Sequence, residues 1–121
     1  GADAEGTVFS TFYDEAAPAN DEAAAFVDGF KAYLTSIGES DIIPAVSALG
    51  YDAYITAVQA IKDADSVDPA AIKDALKNVH VEGVTGDITF DENGDANKDM
   101  AYIKTIKDGK IVFLTTTSID E

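Results

Sequence analysis

The chain has 121 residues, 46% of them hydrophobic, and is therefore long enough for one compact domain with an apolar core. Eight Lys or Arg residues against 23 Asp or Glu residues give a net charge of −15, which argues against nucleic acid and anionic membrane surfaces as partners. The absence of cysteine excludes disulfides, thiolate metal sites and a cysteine nucleophile.

The first predicted elements are a short strand and a helix. β-branched and aromatic residues cluster at residues 7–12, which predicts a strand ahead of the polar connector "YDEAAPAND". Asn20 is a typical N-cap and Gly38 a typical helix stop, so we expect a helix over residues 21–37. Its large apolar residues recur three or four positions apart and predict one buried face, formed by Phe26, Phe30, Tyr33, Leu34 and Ile37.

A second helix is predicted over residues 44–64, with Pro44 in its first turn. The spacing of its large side chains predicts a core-facing stripe of Tyr51, Tyr54, Val58 and Ile61. The opposite, solvent-facing side is predicted to carry Asp52, Thr56, Gln59 and Asp63. Burying a large side chain is worth roughly 1.5 to 3 kcal/mol, so we interpret the tyrosine pair as attachment to a core and not as a ligand platform.

The remaining segments predict one short helix followed by strands. Asp68 and Pro69 provide an N-cap and a first-turn proline, and the predicted buried stripe is Ile72, Ala75, Leu76 and Val79. Alternation predicts a strand at residues 86–90, a turn at 91–95, and a hairpin of residues 100–106 and 110–115 around Asp108 and Gly109. The predicted fold class is α/β, or α+β for the chain taken alone, with a C-terminal antiparallel β-meander.

One stretch partly matches a calcium-binding loop. Asp91, Asn93 and Asp95 have the one, three, five spacing of an EF-hand. Ala96 stands where the loop needs a glycine, however, and Tyr102 stands where it needs a bidentate Glu. A polar turn between strands accounts for the same residues, and we predict no metal site.

The residues needed for catalysis are also missing. His80 is the only histidine, and the residues around it contain no nucleophile motif. Neighbouring carboxylates such as Asp14 with Glu15, or Asp21 with Glu22, are expected by chance in a chain with 23 acidic residues. We therefore predict no enzymatic activity, no catalytic residue and no cofactor.

Several motifs, in their order along the chain, resemble one protein family. These are "ALGYDA" at residues 48–53, "DPAAIKDAL" at residues 68–76, and "GVTGDITFDENGD" at residues 83–95, followed by a hairpin that ends in "KDGK". Together they resemble the type I periplasmic binding proteins of the branched-chain amino-acid kind. Residues 1–121 are similar to the C-terminal third of such a two-lobed protein and are interpreted as a single fragment of it.

The resemblance implies the substrate-binding component of an ABC importer, located outside the cytoplasm and anchored as a lipoprotein. Two lobes would close on a small molecule such as a branched-chain amino acid, without catalysis, and deliver it to an ABC permease. Val46 matches the family position that often places an aromatic residue near the ligand side chain, and Tyr13 lies at the crossing between lobes. We predict these two residues as the ligand-binding positions in this chain.

Two alternatives to the solute-binding interpretation stay open, and the interpretation as a fragment has a consequence for association. The same fold also serves as the ligand-sensing domain of receptors or regulators, and a free-standing acidic interaction domain is the third possibility. A segment that normally covers a sheet encoded elsewhere leaves apolar faces and strand edges unpaired. We therefore expect the isolated chain to form a homo-oligomer or to exchange segments between copies.

Overall fold

The computed structural model describes residues 2–98 and 100–118. After a short 3-10 helix at Ala2–Ala4, the elements in chain order are β1 (Val8–Thr11), α1 (Asp21–Ser36), α2 (Ala45–Ala64), α3 (Pro69–Leu76), β2 (Val81–Gly83), β3 (Gly86–Ile88), β4 (Met100–Lys107) and β5 (Lys110–Ser118). The predicted mixture of helices and antiparallel strands is confirmed. The short strand β2 lies in a stretch that the sequence pattern did not predict as a strand.

The strands form two separate antiparallel sheets. In the larger sheet β4 lies in the middle, pairs with β1 on one side and with β5 on the other, and places Thr11 opposite Tyr102. Strands β2 and β3 form a small hairpin of their own. The sheet therefore joins the start of the chain to its end, while all three helices and the small hairpin lie between these strands in sequence.

Most of the predicted caps and turns are confirmed, but Pro44 lies directly before α2 as its N-cap, with extended backbone, and not in its first turn. The side-chain oxygen of Asn20 accepts a hydrogen bond from the Ala23 N–H at 2.7 Å, and Asp68 caps α3 directly before Pro69. Asp108 and Gly109 both have positive φ angles, of 54° and 71°, as a two-residue turn between β4 and β5 requires. Local chemistry thus determines where most of these elements begin and end.

The predicted orientation of α2 is wrong. Its buried residues are Ala48, Asp52, Thr56 and Ala60, which repeat at intervals of four, whereas Tyr54 is 68% exposed and Ile61 is also exposed. Small alanine side chains allow the helix to approach its neighbours closely, and Asp52 is buried because its carboxylate is hydrogen-bonded to backbone. The large apolar stripe is therefore not buried as a whole, since Tyr51 and Val58 are half-buried while Tyr54 and Ile61 are exposed.

The predicted buried stripe of α1 is also only partly correct. Phe26, Phe30 and Leu34 are half-buried, but Tyr33 and Ile37 are more than half exposed. The core consists of Tyr13, Ala23, Ile43, Ala48 and Val84, with Phe26, Val27, Phe30, Ala45 and Tyr51 packed against it. It is formed by α1, α2, the turn of the β2–β3 hairpin and the segment that follows β1.

Candidate functional site

A buried carboxylate connects α2 to the small hairpin. Asp52 is 3% exposed, and its Oδ1 accepts a hydrogen bond from the Val84 N–H at 2.7 Å. Its Oδ2 accepts two more from Thr85, one from the backbone N–H at 2.9 Å and one from the hydroxyl. The carboxylate therefore supplies the turn of the hairpin with acceptors that are almost completely buried.

Thr85 extends this network to a lysine. Its hydroxyl oxygen accepts a hydrogen bond from Lys98 Nζ at 2.8 Å while its proton is donated to Asp52. We refer to Asp52, Thr85 and Lys98 as the Asp52 cluster. The positive charge of Lys98 thus lies one hydroxyl group away from the buried carboxylate.

The hairpin approaches α2 so closely that only glycine fits at Gly83. A Cβ atom built there would lie 2.6 Å from Ile88 Cδ1 and 2.7 Å from Asp52 Oδ1. The carbonyl of Gly83 also accepts a hydrogen bond from the Asn20 side-chain amide at 3.0 Å, so the N-cap of α1 contacts the same turn. Three elements therefore meet at the turn between β2 and β3.

An open apolar groove of about 350 Å³ adjoins the Asp52 cluster. It runs between α2, α3 and the chain after β3, and its apolar walls include Leu49, Ala57, Ile72, Leu76, Ile88 and Phe90. Thr56 also lines it, and the Thr56 hydroxyl oxygen is buried without a hydrogen-bond partner among the described residues. The groove offers an apolar surface with few polar groups to orient a small ligand.

Tyr13, one of the two predicted ligand-binding residues, lies inside the core. It is 2% exposed, and its hydroxyl has no hydrogen-bond partner among the described residues. Burial, reinforced by the charges of Glu15 and Asp14, raises the pKa of Tyr13 to about 12. Tyr13 lies two residues after the end of β1, and it packs in the core with Ala23 of α1 and Ala48 of α2.

Val46, the other predicted ligand-binding residue, lies in the first turn of α2. It is 70% exposed, so its side chain does not belong to the core. The structure thus places one predicted residue inside the core and the other on the surface. A ligand that contacts Val46 would have to be enclosed by atoms from outside the described residues.

The tyrosines of α2 have different surroundings. Tyr51 is half-buried, its ring centroid lies 5.0 Å from that of Phe26, and its hydroxyl donates to Glu22 Oε1 at 3.2 Å. Burial and this carboxylate raise the pKa of Tyr51 above its ordinary value. Attachment to a core is therefore correct for Tyr51 and wrong for Tyr54, which remains exposed.

The other polar motifs serve local structure. Asp91 Oδ1 accepts hydrogen bonds from the Asn93 and Asp95 backbone N–H groups, at 2.8 and 2.9 Å, which is turn geometry. His80 lies on the surface with its Nε2 3.7 Å from Asp87 Oδ2. Within residues 2–98 and 100–118, no three or more His, Asp or Glu side chains are grouped so as to hold a metal ion. The helices there are also too short or too polar to cross a membrane.

Sequence reasoning missed the Asp52 cluster because it assigned Asp52 to the solvent-facing side of α2. Helical periodicity reports which side chains are apolar, and it does not detect a carboxylate that is buried to bind backbone N–H groups. The sequence signal that could have indicated this cluster is the pair of glycines in "EGVTGD", which predicts a tight turn. The N–H groups of such a turn need hydrogen-bond acceptors from elsewhere in the protein.

The sequence model of one family, described as "Periplasmic binding protein", matches residues 1–110. Among solved structures, the chain is 35% identical to a leucine binding protein from Thermotoga maritima, with a TM-score of 0.76 over 97% of this chain and 32% of that chain. It is 30% identical to an ABC transporter substrate-binding protein from Desulfitobacterium hafniense in complex with Leu, with a TM-score of 0.71, over 92% of this chain and 32% of that chain.

A more distant match is an ABC transporter solute binding protein from R. palustris in complex with benzoate. Its identity is 18%, with a TM-score of 0.74 over 98% of this chain and 32% of that chain, so this match supports the fold alone. In all of these matches the chain spans about a third of the length of the protein it resembles.

Proposed function

The chain belongs to the periplasmic binding protein family, and we propose that it is the C-terminal third of a two-lobed solute-binding protein of an ABC importer. The observation that carries this proposal is the 35% identity to a leucine binding protein over nearly the whole chain. The proposed ligands are branched-chain amino acids or related small molecules. The protein would act outside the cytoplasm, anchored as a lipoprotein, and would pass its ligand to an ABC permease without catalysis.

The exposed apolar side chains support the view that further parts of the protein cover this chain. Outward-facing residues occur on both longer helices and on the three-stranded sheet, among them Val8, Tyr33, Tyr54, Ile61, Ile111 and Leu114. Soluble proteins rarely leave so much apolar surface without a partner. In the longer protein these faces would pack against the remaining two thirds of the two lobes.

We retain Val46 and Tyr13 as the proposed ligand-binding positions, with different roles. Val46 would provide an apolar wall for the ligand side chain, because it is exposed at the start of α2. Tyr13 would act from beneath the surface, since its buried hydroxyl has no hydrogen-bond partner in residues 2–98 and 100–118, and a bound ligand group or a water would supply one.

Binding by the longer protein and by the 121-residue chain tests this proposal. We expect titration calorimetry to detect one-to-one binding of leucine, isoleucine or valine to the longer protein, and very weak or no binding to this chain alone. Benzoate and an unrelated sugar serve as comparison ligands. Failure of the longer protein to bind any amino acid would contradict the assigned ligand class, and tight binding by this chain alone would contradict its role as a third of the site.

The isolated chain is also proposed to associate with copies of itself. Its sheet ends in two edge strands, β1 and β5, and β5 carries the exposed residues Ile111 and Leu114. Light scattering after size exclusion should therefore give a mass above that of one chain. A clean monomer at high concentration would contradict this proposal.

A further inference from the structure

Two groups of elements make up the described structure, and they are joined mainly by chain crossings. One group is the sheet of β1, β4 and β5, and the other is the three helices with the β2–β3 hairpin. Contacts between elements lie mostly within each group, and contacts between the helices and the sheet are sparse. The chain leaves the sheet after Thr11 and returns to it at Met100, so the relative placement of the two groups depends on what holds these crossings.

At the first crossing, Asp14 binds the sheet. Its Oδ2 lies 2.8 Å from Lys104 Nζ on the central strand β4. Asp14 is 5% exposed, and its Oδ1 accepts a hydrogen bond from the Ala16 N–H at 2.7 Å, so the carboxylate is held in place by the connector as well. An ion pair with one partner this deeply buried is far less weakened by water than a pair on the surface.

The next residue, Glu15, binds the helical group. Its Oε1 lies 3.2 Å from Lys31 Nζ on α1, and its Oε2 accepts a hydrogen bond from the Ile43 N–H at 2.8 Å, just before α2 begins. One carboxylate thus connects the crossing to both longer helices. Asp14 begins a turn, closed by a hydrogen bond from the Ala17 N–H to the Asp14 carbonyl at 3.2 Å, and from this turn the two neighbouring carboxylates reach different partners.

We propose that Asp14 and Glu15 are positioning residues, a two-sided anchor that holds the sheet and the helical group at a defined angle. Tyr13, immediately before them, is packed in the core. This inference deepens the proposed solute-binding function, and its consequence for binding rests on that function. In a protein whose two lobes close on a ligand, an anchor at a crossing sets the fraction of molecules that are in the arrangement competent to bind.

The anchor itself is tested without any ligand. The chain has no cysteine, so Lys62→Cys on α2 and Lys110→Cys on β5 allow a spin label on each group, both at exposed positions. Pulsed electron paramagnetic resonance, on labelled chain diluted in an excess of unlabelled chain, then measures the distribution of distances between the two labels of one chain. We expect D14N and E15Q each to broaden this distribution, while D28N, which removes an exposed carboxylate of α1, leaves it unchanged. Distributions in D14N and E15Q as narrow as in the unaltered chain would overturn the proposal.

Lys104 provides a second approach if D14N fails to fold. Lys104→Arg retains a positive charge within reach of Asp14 and should preserve the narrow distribution, whereas Lys104→Met should broaden it. If the Lys104 side chain only filled space between its neighbours, methionine would replace it at least as well as arginine does. Equal distributions for the two variants would therefore overturn the proposal.

The consequence for binding is measured in the longer protein. If loss of the anchor leaves about a tenth of the molecules in the competent arrangement, D14N weakens leucine binding about tenfold, and D28N has no effect. Unchanged affinity in D14N would overturn the role in binding while leaving the distance measurements to decide on the anchor. Failure of the unaltered longer protein to bind amino acids would instead contradict the proposed function, because the distance measurements contain no ligand.

Discussion

Asp52 on α2 and Thr85 in the hairpin turn are joined by two hydrogen bonds, from the Thr85 N–H and from its hydroxyl, both to the same carboxylate oxygen. The other carboxylate oxygen accepts a third hydrogen bond, from the Val84 N–H. A buried carboxylate with three donors is therefore the main polar link between the longest helix and the strands that follow it. Its consequences for stability are large enough to measure.

Replacing Asp52 by alanine should lower the free energy of unfolding by about 3 kcal/mol, because two buried N–H groups and a hydroxyl lose their acceptor. Urea unfolding followed by circular dichroism measures this change. The matched control is D63A on the same helix, because the Asp63 carboxylate is exposed and accepts a hydrogen bond from the Gln59 side-chain amide. A loss below about 0.5 kcal/mol in D52A would show that water replaces the carboxylate, against the burial described above.

Two glycine-to-alanine substitutions should change stability in opposite directions. Gly83→Ala places a Cβ atom 2.6 Å from Ile88 Cδ1 and 2.7 Å from Asp52 Oδ1, and overpacking of this kind costs about 1 to 3 kcal/mol. Gly29→Ala, inside α1, meets no atom within 4 Å and should stabilise the chain by about 0.5 to 1 kcal/mol through its higher helix propensity. Thermal unfolding of both variants measures this pair, and equal midpoints would contradict it.

Tyr13→Phe removes a buried hydroxyl that has no hydrogen-bond partner among the described residues. The unfolded chain loses a group that water solvates, and the folded chain loses nothing, so the variant should be more stable by about 1 kcal/mol at neutral pH. Tyr54→Phe is the matched control, because its side chain is exposed and its stability should not change. Destabilisation of Y13F would indicate that the hydroxyl has a partner, such as a bound water.

The same tyrosine predicts a loss of stability at high pH. Burial raises the pKa of Tyr13 to about 12 in the folded chain, above the ordinary value of 10.0, so the unfolded chain loses its proton first as the pH rises. The contribution to stability is complete below pH 10 and declines as the pH approaches 12, by about 1.4 kcal/mol per pH unit at most.

Unfolding titrations at pH 9 and pH 11 measure this decline, which should be smaller in Y13F than in the unaltered chain. Some decline should remain, because burial also raises the pKa of Tyr102 and of Tyr51. Identical declines in the two proteins would show that Tyr13 does not keep its proton in the folded chain over this range.

Val46→Asp tests the proposed ligand wall in the longer protein. Placing a charge against an apolar ligand side chain should weaken leucine binding at least about tenfold, or about 1.4 kcal/mol, as measured by titration calorimetry. V67D is the matched control, since Val67 is even more exposed and lies in the connection between α2 and α3. If V46D binds leucine as tightly as V67D does, Val46 is not part of the ligand site.

Local chemistry made much of the fold predictable from sequence. Asn20 and Asp68 cap their helices as predicted, and the turn at Asp108 and Gly109 joins two strands as predicted, because each depends on residues within a few positions of itself. The family was also apparent from the order of its motifs. These features need no knowledge of which distant residues meet.

The tertiary structure alone decided which side of α2 is buried and which carboxylates connect distant elements of the chain. Apolar periodicity predicted Tyr54 inside and Asp52 outside, and both are reversed, because the buried face is selected by close backbone approach at Gly83 and by N–H groups that need an acceptor. Asp14 and Glu15 were indistinguishable from the other acidic residues until Lys104, 90 positions along the chain, and Lys31 were placed beside them. Such pairings depend on long-range geometry, which a one-dimensional pattern of residue types does not contain.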